Sequence, residues 1–143
     1  MAWTDAQQSA IDSRGENLLV SAAAGSGKTA VLVQRIIDIV LNEKVDVQNL
    51  LIVTFTNAAA AEMKDRIQKM LMQRMLDNPK ESHYLTKQIQ NLPRASISTM
   101  HSFCIDILRR NFHMLDLDPS FKIANNALVS IMKTQAMESL FDE

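Results

Sequence analysis

A sequence of 143 residues has room for one modest domain with its own hydrophobic core. Its 15 basic and 16 acidic side chains give a formal charge of −1, so the chain lacks the overall basic charge typical of many nucleic-acid-binding domains. A single cysteine, Cys104, excludes an internal disulfide framework, and the apolar runs are too short to cross a bilayer. We therefore expect a cytoplasmic protein, with Cys104 packed in a helix.

The opening of the sequence predicts a helix, a strand, a loop and a second helix. Thr4 is suited to cap a first helix that runs to Arg14. The apolar run Asn17–Ser21 has the length of a buried strand. After a loop, the helix from Thr29 to about Asn42 is indicated by apolar residues at helical spacing, namely Leu32, Ile36, Ile39 and Val40.

The rest of the sequence continues the alternation of strands and helices. Asn57 is suited to cap the first of the later helices. The predicted strands are Leu50–Thr54, Ala95–Ser98 and Phe121–Ile123. The predicted helices are Asn57 to about Leu76, Ser82–Asn91, His101–Met114 and Ala127–Phe141. Strands alternating with helices predict an α/β fold with a parallel sheet flanked by helices.

The most informative segment lies between the first predicted strand and the second helix. It reads Ala22-Ala23-Ala24-Gly25-Ser26-Gly27-Lys28-Thr29. Small residues let backbone N–H groups wrap a polyphosphate, and the helix that follows directs its positive end toward the same anion. Lys28 can neutralise the β- and γ-phosphates, and the Thr29 hydroxyl can bind Mg²⁺. We therefore expect ATP and Mg²⁺ as ligands, with Lys28 and Thr29 as the catalytic residues.

The alternative is a strand–turn–helix corner in which the Lys28-Thr29 pair stands by chance. The usual pattern begins with glycine where this sequence has Ala22, but that position requires only a small residue. The complete octet between a strand and a helix favours a phosphate-binding loop.

Three further segments, in order with this loop, resemble motifs of superfamily 1 DNA helicases of the UvrD/RecB type. Thr4–Ile11 is similar to the Q motif, Val53–Met63 resembles motif Ia, and Ser98–Phe103 resembles motif Ib. The whole chain, including residues 94–99 and 115–119, resembles the beginning of a helicase/nuclease subunit of bacterial double-strand-break repair complexes. The resemblance implies the N-terminal part of a P-loop NTPase (RecA-like) domain.

Gln7 stands at the adenine-reading position of the Q motif that the resemblance implies. Its amide offers one donor and one acceptor, which match the N6/N7 edge of adenine. The alternative is an ordinary exposed glutamine on a helix. The phosphate-binding loop downstream favours the adenine contact.

The resemblance assigns the DNA strand to two polar clusters that follow predicted strands. These are Thr54, Phe55, Thr56 and Asn57, and then Thr99, His101 and Ser102. Phe55 can stack on an unpaired base, worth about 1–3 kcal/mol, or can close the end of the sheet as a core residue. Asn57 can also cap its helix, and His101 can equally be a structural residue. Basic residues of the helix after Asn57 are interpreted as a solvated face; these are Lys64, Arg66, Lys69 and Arg74.

A helicase motor also needs an acidic residue that holds Mg²⁺ and orients water. Asp142-Glu143 imitates such a motif, but we reject it because the preceding apolar residues repeat at helical spacing. The resemblance places the acidic motif, the second motor domain and the nuclease domain beyond this segment.

The resemblance implies a longer protein that uses ATP to move 3′-to-5′ on single-stranded DNA and has exonuclease activity. It would bind single-stranded and duplex-end DNA, in a heterodimer with a second protein, in double-strand-break repair and recombination. We expect this segment alone to bind nucleotide weakly and not to hydrolyse it. The sequence leaves two other classes open, namely a different P-loop enzyme such as a kinase and a non-catalytic interaction domain.

Overall fold

The computed structural model describes residues 3–118 and 120–141, and the chain divides after Cys104 into two compact units. The first unit contains, in order, α1 (Asp5–Asp12), α2 (Lys28–Asn42), β1 (Leu51–Thr54), α3 (Asn57–Asp77), α4 (Ser82–Asn91), β2 (Ser96–Thr99) and the start of α5 (Met100–Arg110). The second unit contains the remainder of α5 and α6 (Asn126–Phe141). Short 3-10 turns lie at Val47–Asn49, Pro79–Glu81, Leu92–Arg94 and Phe112–Met114. No helix in the described ranges is long and apolar enough to span a membrane.

Two parallel strands form the sheet, with Leu51 opposite Ser96 and Thr54 opposite Thr99. The mixed helix and strand content and the parallel pairing agree with the predicted α/β class. Ile52 and Ile97 lie side by side in the register and are buried in the same core, which α3 shares. Leu51 and Val53 on the opposite face are 50% and 39% exposed. The strand predicted as buried is therefore buried on one face only.

The main core of the first unit joins the sheet to three helices. Apolar side chains recur at three- and four-residue spacing on α2 and α3, and these stripes meet between the helices and β1–β2. Its members include Val33, Ile36, Ile37, Val40, Ile52, Met63, Ile67, Leu71, Leu85 and Ile97. A smaller cluster of Ala10, Ile11 and Val31, with Trp3 packed against it, attaches α1 to α2.

One buried polar side chain ties α4 to the turn before β1. Gln88 is fully buried, accepts a hydrogen bond from the Val47 amide at 2.9 Å and donates one to Asp46 Oδ1 at 2.5 Å. This bond from Gln88, and then one from Lys87, lower the pKa of the Asp46 carboxyl below its ordinary value. Both ends of the buried Gln88 amide therefore have a hydrogen-bond partner.

Two predicted strands were wrong. Residues 17–21 have irregular backbone, and Leu19 is 92% exposed. Residues 121–123 also form no strand, and Ile123 is 67% exposed. Each has the apolar composition of a strand, but a strand also needs a neighbour with which to pair, and the described residues pair only β1 with β2.

The helices were predicted more accurately than the strands. α4 has the predicted bounds, and α6 begins one residue before its predicted start. α1 ends two residues early, at Asp12, and α5 ends at Arg110 and is followed by a separate 3-10 turn. On α2, Val33 faces the hydrophobic core, whereas Leu32, which was predicted to face it, is exposed.

Two predictions about single residues were also wrong. Thr56, and not Asn57, is the N-cap of α3, because the Thr56 hydroxyl accepts a hydrogen bond from the Ala59 amide at 3.1 Å. Cys104 is exposed on α5 rather than packed. The rejected acidic pair, residues 142–143, lies outside the described residues, whereas the segment before it is helical up to Phe141.

Candidate functional site

The loop from Ala22 to Thr29 turns sharply into α2 through two glycines. Gly25 and Gly27 have φ angles of 78° and 85°, in the left-handed region that L side chains rarely adopt. Gly27 is the N-cap residue of α2, so Lys28 and Thr29 form the first helical positions. Backbone N–H groups in the first turn of a helix have no helical partner and suit an anion.

The ammonium group of Lys28 lies over its own loop. Its Nζ donates hydrogen bonds to the carbonyl oxygens of Ala22 at 2.6 Å and Ala23 at 2.7 Å. A lysine ammonium has three N–H donors, so a phosphate oxygen can take the third or replace a carbonyl. The side chain is exposed and so remains accessible to a ligand.

An open pocket lies beside this loop. Its lining residues are Ala24, Gly25, Gly27, Lys28, Thr29, Ala30 and Arg66. We call it the phosphate pocket. It contains the Thr29 side chain and two cationic side chains, and no carboxylate of the described residues lines it. This charge distribution favours a polyanion.

Arg66 is a member of this pocket that the sequence did not reveal. The sequence alone indicates a solvated face for it, yet α3 packs beside α2 and carries Arg66 to the loop. Its guanidinium pairs with Glu62 Oε1 one turn earlier, through Nε at 3.0 Å and Nη2 at 2.5 Å. A basic residue on the α2-facing side of α3 was the available signal, but only helix packing shows which side that is.

Gln7 is oriented by contacts at both ends of its amide. Oε1 accepts a hydrogen bond from the Thr4 amide at 3.0 Å, and Nε2 donates one to the Ser26 carbonyl at 3.2 Å. The first contact belongs to a capping box in which Thr4 and Gln7 satisfy each other's backbone N–H groups. Each end keeps one further hydrogen-bonding position, so an adenine edge can still be bound. The contact with Ser26 joins Gln7 directly to the loop.

The two polar clusters lie side by side at the carboxyl end of the sheet. The register places Thr54 opposite Thr99, so the segments that follow β1 and β2 start from neighbouring positions. Phe55 is 104% exposed, which contradicts the alternative of a core phenylalanine at the end of the sheet. His101 is also exposed.

Hydroxyl groups in these clusters are held by short local hydrogen bonds. Thr54 Oγ1 donates to the Thr56 carbonyl at 3.0 Å. Thr99 Oγ1 donates to Ser102 Oγ at 2.9 Å and accepts from the Ser102 amide at 3.2 Å. These contacts orient the side chains near the starts of α3 and α5, where free amides suit backbone phosphates.

α3 connects the polar clusters with the phosphate pocket. The helix begins at Asn57, beside Thr56, and reaches Arg66 nine positions later. At about 1.5 Å per residue, this is a rigid link of roughly 14 Å. The same helix therefore touches both candidate sites.

A comparison with protein families matches the chain over residues 3–142 to the UvrD/REP helicase N-terminal domain. A protein of Alkaliphilus metalliredigens, named as the A subunit of an ATP-dependent helicase/nuclease, is 57% identical over 141 residues. Proteins of the same name from Clostridium acetobutylicum and Geobacillus kaustophilus are 49% and 52% identical over 143 residues. Each of these alignments covers 99% of the chain. They cover only 12%, 11% and 11% of the three relatives, respectively.

Proposed function

Since the chain belongs to the UvrD/REP helicase N-terminal domain family, we propose that residues 22–29 bind ATP for a DNA helicase motor. The observation that carries this proposal is the loop itself, in which two left-handed glycines lead into a helix that begins with Lys28. Lys28 neutralises the β- and γ-phosphates, the loop amides bind their oxygens, and Gln7 reads the adenine edge. The family match is the reason for preferring this function to an unrelated P-loop kinase.

Mg²⁺ fits the phosphate pocket only together with the nucleotide. This ion takes oxygen ligands and is commonly bound by substrate phosphates, water and one or two protein groups. The Thr29 hydroxyl is the protein oxygen suited to this role in the pocket, and the described residues contain no cluster of three metal-binding side chains. Bound Mg²⁺ would neutralise charge on the β- and γ-phosphates, while Thr29 would orient it.

We further propose that the two polar clusters bind single-stranded DNA. Phe55 is fully exposed beside the end of β1 and presents a free aromatic face to a base. Thr54, Thr56, Asn57, Thr99, His101 and Ser102 supply hydrogen-bonding groups for the sugar–phosphate backbone. α3 would then link DNA binding to the phosphate pocket.

For the longer protein we propose an ATP-dependent helicase/nuclease chain of the AddA type. This proposal is supported by the name of the relatives and by their 49–57% identity to the chain. The matched region is 11–12% of the length of each relative. Such a protein would complete a RecA-like motor, translocate 3′-to-5′ on single-stranded DNA in double-strand-break repair, and form a heterodimer with an AddB-type partner. Its nuclease activity would reside outside these residues.

Lys28→Ala in the full-length protein tests the ATP proposal. We expect DNA-stimulated ATP hydrolysis to fall on the order of 100-fold, because preorganised charge at the transferring phosphoryl group is lost. Strand separation should fall with it. Lys80→Ala is the matched control, because Lys80 is an exposed lysine in the turn before α4. Normal hydrolysis by Lys28→Ala would sink the proposal.

Phe55→Ala tests the DNA proposal separately. One lost base stack is worth about 1–3 kcal/mol, so the Kd for a single-stranded oligonucleotide should rise roughly 5- to 150-fold. Fluorescence anisotropy with the full-length protein measures this. Leu19→Ala is the control, since Leu19 is an exposed apolar residue that is 92% accessible and outside both clusters. Equal weakening by both substitutions would mean that Phe55 has no specific contact with DNA.

A further inference from the structure

A second pocket adjoins the phosphate pocket. Its walls include Trp3, Ala30, Val33, Arg66, Lys69 and Met70, and they are mostly apolar. Ala30 and Arg66 line both pockets, so the two spaces adjoin at the first turns of α2. We call this second space the Trp3 pocket.

Trp3 is held at this position by the smaller core cluster. It precedes the N-cap residue Thr4 and packs against Ala10, Ile11 and Val31. The indole is nevertheless only partly buried. Position 30, next to Val31, carries only a methyl side chain, which leaves space over α2 beside the ring.

The pocket has the chemistry of a site for a flat heteroaromatic ring. Trp3 offers an aromatic face, and Val33 and Met70 offer aliphatic walls. Two cations lie among these walls, each held by a carboxylate one turn away on α3. Arg66 pairs with Glu62, and Lys69 Nζ lies 2.7 Å from Asp65 Oδ2. Apolar walls and one cation shared with the phosphate pocket, Arg66, match a base that is joined to a polyphosphate.

We propose that Trp3 stacks against the base of the nucleotide whose phosphates occupy the phosphate pocket. The inference rests on the proposed ATP-binding function and deepens it. A nucleotide with its phosphates at residues 25–29 places its base one ribose away, in a space that borders this loop or the first turn of α2. Two mostly apolar pockets do so: Gln7, Ser26 and Lys28 line one, and the other is the Trp3 pocket, which alone of the two has an aromatic wall. Trp3 supplies a face that accepts any base. Gln7 lines the neighbouring pocket, beside Ser26, and supplies selectivity for the adenine edge from that side.

This division of roles predicts different effects for the two residues. Trp3→Ala should raise the KM for ATP and for GTP by a similar factor of about ten, since stacking is tolerant of base identity. The kcat should stay within about twofold, because a stack that is equal in the ground state and the transition state changes KM alone. Gln7→Ala should instead change the ratio of the KM values for GTP and ATP.

The experiment uses DNA-stimulated hydrolysis by the full-length protein, with inorganic tripolyphosphate as a competitive inhibitor. Tripolyphosphate has no base, so its inhibition constant should be unchanged in Trp3→Ala. Trp3→Phe keeps an aromatic face and should retain a KM near that of the wild type. Trp3→Leu keeps apolar packing against Ala10, Ile11 and Val31 without a flat ring, and should resemble Trp3→Ala.

Three results would overturn the proposal: an unchanged KM in Trp3→Ala, a wild-type KM in Trp3→Leu, or an equal loss of affinity for ATP and tripolyphosphate in Trp3→Ala. The last two would show that Trp3 acts only by packing. Failure of the underlying ATP proposal looks different, because Lys28→Ala would then leave both ATP and tripolyphosphate binding intact. If Lys28→Ala strongly weakened ATP binding and Trp3→Ala did not, the stacking proposal would be rejected and the ATP-binding proposal would stand.

Discussion

Gly15 and Gly27 share a left-handed backbone, with φ angles of 73° and 85°, but only Gly27 belongs to the loop of residues 22–29. A Cβ added at Gly27 would lie 3.5 Å from Gln7 Nε2, an ordinary contact, and one added at Gly15 would meet nothing within 4 Å. The penalty of a side chain at either position is therefore the backbone conformation and not a collision. Alanine substitutions at Gly15 and Gly27 therefore allow an effect on overall stability to be distinguished from an effect on the conformation of residues 22–29.

We expect Gly27→Ala and Gly15→Ala to lower the free energy of unfolding by similar amounts, about 1–2 kcal/mol each. Urea denaturation of this chain measures both. Only Gly27→Ala should weaken ATP binding in the full-length protein, because relaxation of its φ angle would redirect the amides before Lys28. If Gly15→Ala weakened ATP binding as much, the loop conformation would not be the cause.

The sequence identified the candidate residues of the loop, but it did not identify the residues from other segments that lie beside them. Gly25, Gly27 and Lys28 lie within four consecutive residues, so their arrangement follows from local backbone preferences. Arg66 reaches the same region from α3, and Trp3 reaches it from the residue before the N-cap of α1. Neither carries a local signal of that position, because it depends on how α1 and α3 pack on α2.

Among the secondary-structure elements, α3 has the most direct test, because two adjacent residues, Thr56 and Asn57, are both suited to cap it. The Thr56 hydroxyl accepts the Ala59 amide, and Asn57 is the first helical residue. Both residue types are good caps, so the sequence could not distinguish two adjacent candidates. The backbone decides, since Thr56 has extended angles and Asn57 is already helical.

Thr56→Ala should lower the free energy of unfolding by about 1 kcal/mol, because the Ala59 amide loses its partner. Asn57→Ala should cost less than half of that amount. Thermal or urea denaturation of the two variants of this chain gives the comparison. A larger loss in Asn57→Ala would mean that Asn57 is the cap after all.

The elements also show why helices were predicted better than strands. α2, α3 and α4 each bury a stripe that recurs within the same segment, so the sequence of one element indicates its inward face. β1 and β2 depend on each other across more than forty residues. Residues 17–21 have a similar apolar pattern and yet remain irregular, because composition does not supply a pairing partner.

At the scale of the whole molecule, the chain holds one part of the proposed motor. Hydrolysis needs an acidic group near Mg²⁺ and the attacking water, and no described carboxylate lines the phosphate pocket. The chain also spans only 11–12% of the length of the relatives from Alkaliphilus, Clostridium and Geobacillus described above.

We therefore expect residues 1–143 alone to hydrolyse no ATP above the uncatalysed rate, with or without single-stranded DNA. A phosphate-release assay measures this, with the full-length protein as the positive control and its Lys28→Ala variant as the negative control. DNA-stimulated turnover by the 143-residue chain would contradict the expectation. It would show that the residues needed for hydrolysis are all present in this segment.

The sequence by itself determined the glycine-rich loop at residues 22–29, the order of the helicase-like motifs and the extents of most helices. These features depend on residues close together along the chain, where glycine angles, capping groups and helical periodicity act locally. Only the tertiary structure decided which apolar runs pair as strands, that Thr54 and Thr99 are neighbours, and that Trp3 and Arg66 meet around Ala30. Those outcomes depend on contacts between segments distant in sequence, whose selection is a property of packing and not of any one segment.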